Sequence, residues 1–60
     1  MPDLEDIRSR LDSIAEELTE LAIEVLRDAV EAGAGQRPEL EKRITRARTA
    51  VEKASHLLAE

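Results

Sequence analysis

Cysteine and aromatic residues are both absent from this chain of 60 residues. Without cysteine it has neither a disulfide framework nor a thiolate metal site. Without Phe, Tyr or Trp it lacks the side chains that usually stack on nucleic-acid bases and anchor protein interfaces. No apolar run approaches the roughly 20 residues of a membrane span, and the acidic start of the chain is unlike a signal peptide. We therefore expect a cytoplasmic protein with no membrane segment.

Glycine and proline are scarce, with two of each, and three of these four residues fall between positions 33 and 38. Asp3 is a suitable N-cap, Gly33 is suited to ending a helix, and Pro38 is suited to the first turn of a second helix. The prediction is a single all-α domain over residues 1–60, an antiparallel two-helix hairpin. Its parts are helix 1 at about 3–32, a loop at 33–37 and helix 2 at about 38–59.

Apolar residues recur every three or four positions along both predicted helices, which is the heptad pattern of helices that pack on other helices. In helix 1 the stripe consists of Leu4, Ile7, Leu11, Ile14, Leu18, Leu21 and Val25. In helix 2 it consists of Leu40, Ile44, Ala47, Val51, Ala54 and Leu58, with Ala50 and Leu57 on its flank. The second stripe is rich in alanine, which allows neighbouring helices to approach closely.

The two halves of the chain carry opposite charge. Residues 1–32 contain ten acids and three bases, whereas residues 33–60 contain six bases and four acids. Opposite charge favours pairing of helix 1 with helix 2 over pairing of like helices, although each exposed ion pair contributes little. We expect the bases of helix 2 to pair with the acids of helix 1. The alternative is that these charges serve only solubility and the helix dipoles.

The apolar surface exceeds what one copy can bury. A chain of this length buries only about 60% of its unfolded surface even in a compact ball. The conformational entropy lost on ordering the residues roughly offsets the free energy gained from this burial. Ile23, Leu26 and Val30 widen the apolar face of helix 1 to one side of its stripe. Helix 1 is also longer than helix 2 by about eight residues. Its first turns, with Leu4, Ile7 and Leu11, should therefore project beyond helix 2. We predict a homodimeric four-helix bundle.

The predicted interface with the second copy, or with a different protein partner, lies on helix 1. Its residues are Leu4, Ile7, Leu11, Ile14, Leu18, Leu21, Ile23, Leu26 and Val30. The second copy is expected on the wide face near the loop, so Ile23→Glu should weaken association more than helicity. The alternative is that Ile23 and Val30 are isolated surface residues, which are normal in any protein.

His56 is the single histidine, and Glu52 and Glu60 lie four residues to either side of it on the same helical face. Three such side chains have ligand chemistry for a divalent metal. However, this face points away from the apolar stripe, and no enclosing pocket or second shell is predictable. We therefore expect a solvated histidine, no metal and no other cofactor.

A basic stripe formed by Lys42, Arg46 and Lys53 lines one side of helix 2. Dimeric helical hairpins of this length resemble the Rop type of plasmid copy-control protein, and that resemblance implies RNA binding through such a stripe. The resemblance is architectural: it covers the whole chain but rests on no diagnostic motif. The chain has neither stacking aromatics nor the positive charge usual for nucleic-acid binding. RNA binding is therefore an alternative, and nucleic acid is not the expected partner.

A quarter of the chain resembles the first helix of the all-helical chorismate mutases, through Ile7, Arg8, Leu11, Asp12, Ile14, Leu18 and Leu21. In that family the arginine matching Arg8 binds substrate, so the resemblance implies a mutase-like site. Val25 stands where the family has a second essential arginine, and the third helix of the family's pocket has no counterpart. We therefore expect no enzyme and no catalytic residue. The favoured interpretation is a small interaction or scaffold module, with no specific biochemical activity readable.

Overall fold

The computed structural model describes residues 3–59 of the chain. They form two α-helices, α1 (Leu4–Glu31) and α2 (Glu39–Ala59), which pack against each other as a hairpin. The hairpin is a rod with dimensions of 47 × 14 × 13 Å. The predicted all-α hairpin is confirmed, and the helix bounds differ from the predicted ones by one residue at three of the four ends. Neither described helix contains a stretch long and apolar enough to cross a membrane.

Capping residues determine where α1 begins and ends. Asp3 has an extended backbone, and its carboxylate accepts a 2.7 Å hydrogen bond from the backbone N–H two residues later. At the other end Gly33 has a φ of 82°, in the left-handed region where glycine avoids the steric cost of a Cβ atom. The N–H of Gly33 donates to the carbonyl of Val30, and the N–H of Ala34 donates to the carbonyl of Ala29. This is the Schellman pattern, so the chain leaves α1 where the sequence predicts.

The alanine side of α1 packs against α2. Ala15, Ala22 and Ala29 are seven residues apart and form one line along α1; Ala15 is buried and the other two are half-buried. On α2, Ile44 is buried to a similar extent, so that Ala15 and Ile44 are 8% and 7% exposed. They are the only buried apolar residues between positions 3 and 59. The core of the hairpin is therefore very small, and the larger apolar side chains lie beside it.

Contacts near both ends of the hairpin fix the register of α2 on α1. The Ser55 hydroxyl donates a 2.7 Å hydrogen bond to the Asp12 carboxylate. Toward the loop, Glu41 lies across a groove from Leu26. Residues 34–38 line a depression together with the last turns of α1. The loop therefore runs back along α1. As a result, α2 begins farther from the loop end of α1 than the difference in helix length suggests.

This register corrects the prediction that the first turns of helix 1 project beyond helix 2. Ile7 and Leu11 are half-buried, and Leu4 alone of the three named residues is exposed. The prediction is wrong for Ile7 and Leu11 because the surplus length of α1 is divided between its two ends.

Candidate interaction surfaces

One flat face of the hairpin, here called the groove face, combines apolar side chains of α1 with polar side chains of α2. Its central groove is lined by Leu18, Thr19, Ala22, Ile23 and Leu26 of α1 and by Glu41, Thr45 and Arg48 of α2. A depression farther along is lined by Arg8, Asp12, Thr49, Glu52, Lys53, Ser55, His56 and Ala59. Arg8 precedes Thr19 by eleven residues, or about three helical turns, so the two sites lie on the same face.

The opposite face, here called the apolar face, is formed by the stripes of both helices. Leu21 lies two residues, and so about 200° around the helix, from Ile23 of the groove face. Ala47 of α2 lies two residues from Thr45, which also belongs to the groove face. The exposed residues of each stripe are therefore turned away from the groove, although Leu18 also lines it, and they lie on the same side of the hairpin. The apolar face consists of Ile14, Leu21, Leu40, Ala47, Ala50, Ala54 and Leu57, all exposed except the half-buried Ala54.

The nine predicted interface residues do not form one surface. Five of them are exposed, namely Leu4, Ile14, Leu21, Ile23 and Val30, and four are half-buried, namely Ile7, Leu11, Leu18 and Leu26. Ile14 and Leu21 lie on the apolar face, whereas Ile23 and Val30 lie on the opposite side of α1. A single partner packing on one flat face therefore contacts one set and not the other.

The predicted interface omits the apolar residues of α2. Leu40 and Leu57 are both more than half exposed on the apolar face. The signal that identifies them is the spacing of seven residues in Leu40–Ala47–Ala54 and in Ala50–Leu57, which matches that of Ile14 and Leu21 in α1. Both helices therefore contribute to this face.

Every ion pair between residues 3 and 59 joins side chains three or four positions apart. The pairs are Arg8–Glu5 at 3.4 Å, Arg37–Glu41 at 2.6 Å, Lys42–Glu39 at 3.7 Å and Arg48–Glu52 at 3.7 Å. The expected pairing of helix 2 bases with helix 1 acids is therefore wrong for the described part of a single hairpin. Most charged side chains lie on the outer sides of the two helices, where the neighbouring helix is out of reach.

The predicted basic stripe lies on the outer side of α2. Lys42 is half-buried and pairs with Glu39, whereas Arg46 and Lys53 are exposed. Within the described residues, neither Arg46 nor Lys53 takes part in an ion pair. Two positive charges per hairpin therefore face solvent, Arg46 on the outer side of α2 and Lys53 at the border of the groove-face depression.

His56 is exposed and borders the depression of the groove face. Glu60, the third member of the sequence-based metal trio, lies outside the described residues. Between residues 3 and 59 no three His, Asp or Glu side chains are placed to hold a metal ion. The structure therefore brings no ligand set together around His56.

Glu41 is a buried carboxylate, only 5% exposed, at the loop end of the groove. The Arg37 guanidinium donates to it twice, from Nε at 2.6 Å and from Nη2 at 3.0 Å, and the Thr45 hydroxyl donates at 2.9 Å. The hydrogen bonds from Arg37 are the main cause that lowers the pKa of Glu41, and Thr45 adds to them, whereas burial acts in the opposite direction. This cluster ties the end of the loop to the first turns of α2.

Glu41→Gln should destabilise the hairpin at neutral pH, and its effect should shrink in acid. Because the folded pKa of Glu41 is lowered, its stabilisation is present above the unfolded value of about 4.3 and is lost as pH falls through the folded pKa. Urea unfolding, followed by far-UV circular dichroism at neutral pH and at about pH 3, measures the difference in free energy of unfolding between the variant and the unsubstituted chain at each pH. Glu16→Gln, the same change at an exposed site without an ion pair, is the control. A penalty for Glu41→Gln that is as large in acid as at neutral pH contradicts this role.

The hairpin thus has one face formed by the apolar stripes of both helices and one groove of mixed chemistry. Comparison of the chain with protein-family models, curated proteins and solved structures gives no match.

Proposed function

We propose that the chain is the subunit of a homodimeric four-helix bundle, in which two hairpins pack through their apolar faces. The dimer acts as a small interaction or scaffold module. The observation that carries this proposal is the position of the exposed stripe residues Ile14, Leu21, Leu40 and Ala47, which lie beside the contact between the two helices and on the same side of the hairpin.

The stripes have the orientation of helices that have two neighbours. In α1 the line that faces α2 is formed by alanines, and Ile14 lies one residue, about 100° around the helix, from Ala15. In α2 the buried Ile44 faces α1, while Leu40 and Ala47 are turned toward the apolar face. A helix in a four-helix bundle directs its apolar stripe between two adjacent helices. A second hairpin stacked on the apolar face supplies the missing neighbour of both helices at once.

The accessible surface of the hairpin supports an interface of ordinary size. The hairpin exposes 4805 Å², whereas a compact globular protein of its mass exposes about 3,900 Å². The excess of about 900 Å² is close to the roughly 800 Å² that each partner buries in a standard protein interface. Packing of the apolar faces removes this excess.

The two helices also complement each other in side-chain size. The apolar face carries Ile14 and Leu21 on α1 but mainly alanine on α2, at positions 47, 50 and 54. A twofold interface is self-complementary, so large residues of one copy pack where the partner has small ones. Such alternation of large and small side chains fills a bundle core without voids. Both groove faces then remain on the outside of the dimer, available to a further partner.

Sedimentation equilibrium at micromolar concentration tests the proposal. We expect about twice the chain mass of 6.7 kDa. Dilution should lower the mean mass and the helicity together, because the small core of a single hairpin adds little stability. A fully helical species of single-chain mass at micromolar concentration contradicts the proposal.

A further inference from the structure

The margins of the apolar face carry opposite charge on the two helices. On α1 the margin holds two acids and one base, Arg10, Glu17 and Glu24. On α2 it holds two bases, Arg43 and Arg46. These side chains lie next to the apolar residues because they precede or follow them by three or four positions. We call them the acidic margin and the basic margin.

Two twofold arrangements stack a pair of hairpins through this face. When the axis runs parallel to the helices, α1 of one copy lies on α2 of the other, and both loops are at the same end. When the axis runs across the helices, α1 lies on α1 and α2 on α2, and the loops are at opposite ends. Both arrangements bury the same apolar residues, but only the first sets the large residues of α1 on the small residues of α2. The charged margins give a second, independent criterion.

We propose that the two copies associate with their loops at the same end, so that the acidic margin of each lies along the basic margin of the other. This inference rests on the proposed dimer. The opposite-end arrangement brings the two basic margins together and also brings the two acidic margins together. Like charges across an interface oppose association, whereas unlike charges favour it and fix its register.

The register of the hairpin places the charges at matching heights in the same-end dimer. A parallel twofold axis leaves heights unchanged, so the pairing of Asp12 with Ser55 within one copy also sets the level of α1 against α2 of the partner. By this register Glu17 lies level with Ala50, one helical turn from Arg46, and Glu24 lies level with Arg43. The acids of one margin therefore fall beside the bases of the other.

A single cysteine in the loop distinguishes the two arrangements, because the chain has no native cysteine. We choose Gln36→Cys, an exposed loop position, labelled with a nitroxide for pulsed electron–electron distance measurement. The same-end dimer should give a distance within about two helix diameters, roughly 20–25 Å. A distance near the 47 Å length of the rod overturns the same-end arrangement and leaves the dimer standing. Absence of dipolar coupling together with a single-chain mass overturns the dimer itself.

Charge reversal gives a second test, in which the sign of the effect is diagnostic. In the same-end dimer Arg46→Glu places a new acid beside the partner's Glu17 and should raise the dissociation constant about tenfold at low salt. In the opposite-end dimer the same change relieves repulsion and lowers the dissociation constant, which would overturn the inference. Arg27→Glu makes the same charge change on the outer side of α1 and should leave association nearly unchanged. Added salt should shrink the effect of Arg46→Glu.

Discussion

Leu21→Glu should dissociate the dimer, whereas Ile23→Glu should leave its mass and helicity nearly unchanged. The two residues are two positions apart in α1 and are similarly exposed in the single hairpin, at 44% and 52%. They differ in the face on which they lie. In the proposed dimer Leu21 becomes buried, so a carboxylate there loses apolar burial and cannot be solvated, once in each copy. We expect the dissociation constant to rise by about a hundredfold or more.

Sedimentation velocity over a concentration series, with circular dichroism on the same samples, measures both properties. Ile23→Glu is the matched control, because it introduces the same charge into the same helix. Retention of the dimer by Leu21→Glu would show that the apolar face is not the interface. Dissociation by Ile23→Glu, with Leu21→Glu intact, would place the second copy on the groove face instead.

Ile44→Ala should lower the stability of the hairpin more than truncation of the exposed Val30. Ile44 is the one large apolar side chain buried between the helices in the described part of the chain. Removal of a buried isoleucine to alanine costs about 2–5 kcal/mol, because the surroundings only partly collapse. In a domain of this size each kcal/mol lowers Tm by about 4–8 °C.

Thermal unfolding at one fixed chain concentration measures this change, since the Tm of a dimer depends on concentration. Val30→Ala is the control: Val30 is 69% exposed on the groove side of α1, and its truncation should alter stability by no more than about 0.5 kcal/mol. Equal losses in the two variants would mean that the helices are not packed around Ile44.

The ends of α1 and the existence of two helices were predictable from the sequence because their causes are local. Asp3 accepts a hydrogen bond from the N–H two residues on, and Gly33 adopts a backbone conformation that its lack of a Cβ permits. Each needs only a few neighbouring residues. The heptad spacing likewise requires only helical geometry to place apolar residues along one side.

The side of α1 that faces α2 was not predictable in the same way. A helical wheel gives more weight to leucine and isoleucine, so it places the partner helix on the stripe that contains Leu18 and Leu21. The structure places α2 on Ala15 and its neighbours, among them the half-buried Leu18, whereas Leu21 is exposed to one side. This choice depends on how many neighbours a helix has, which one sequence does not state. Ile23 lies on the groove face, so the proposed dimer leaves it outside the interface.

The register of α2 on α1 depends on the path of the loop, and the ion pairs depend on which acids compete for each base. Neither could be predicted from the sequence. Residues 34–38 run back along α1, and their path follows from the conformation after Gly33, which helix lengths do not reveal. Considered by charge alone, the bases of α2 could pair with the acids of α1. Side chains three or four positions apart are neighbours on one helix, and Arg37, Lys42 and Arg48 are paired with partners at that spacing.

Because these ion pairs are local, they contribute to the free energy of forming each helix and not to the free energy of packing one helix on the other. A pair such as Arg48–Glu52 needs no second helix, so it contributes equally before and after α1 docks and cancels from the docking free energy. The hydrogen bonds between Arg37 and Glu41 also attach the end of the loop to α2, and they do so within five consecutive residues. We expect this segment to hold residual helical structure in the unfolded ensemble and to act as the seed on which the hairpin closes.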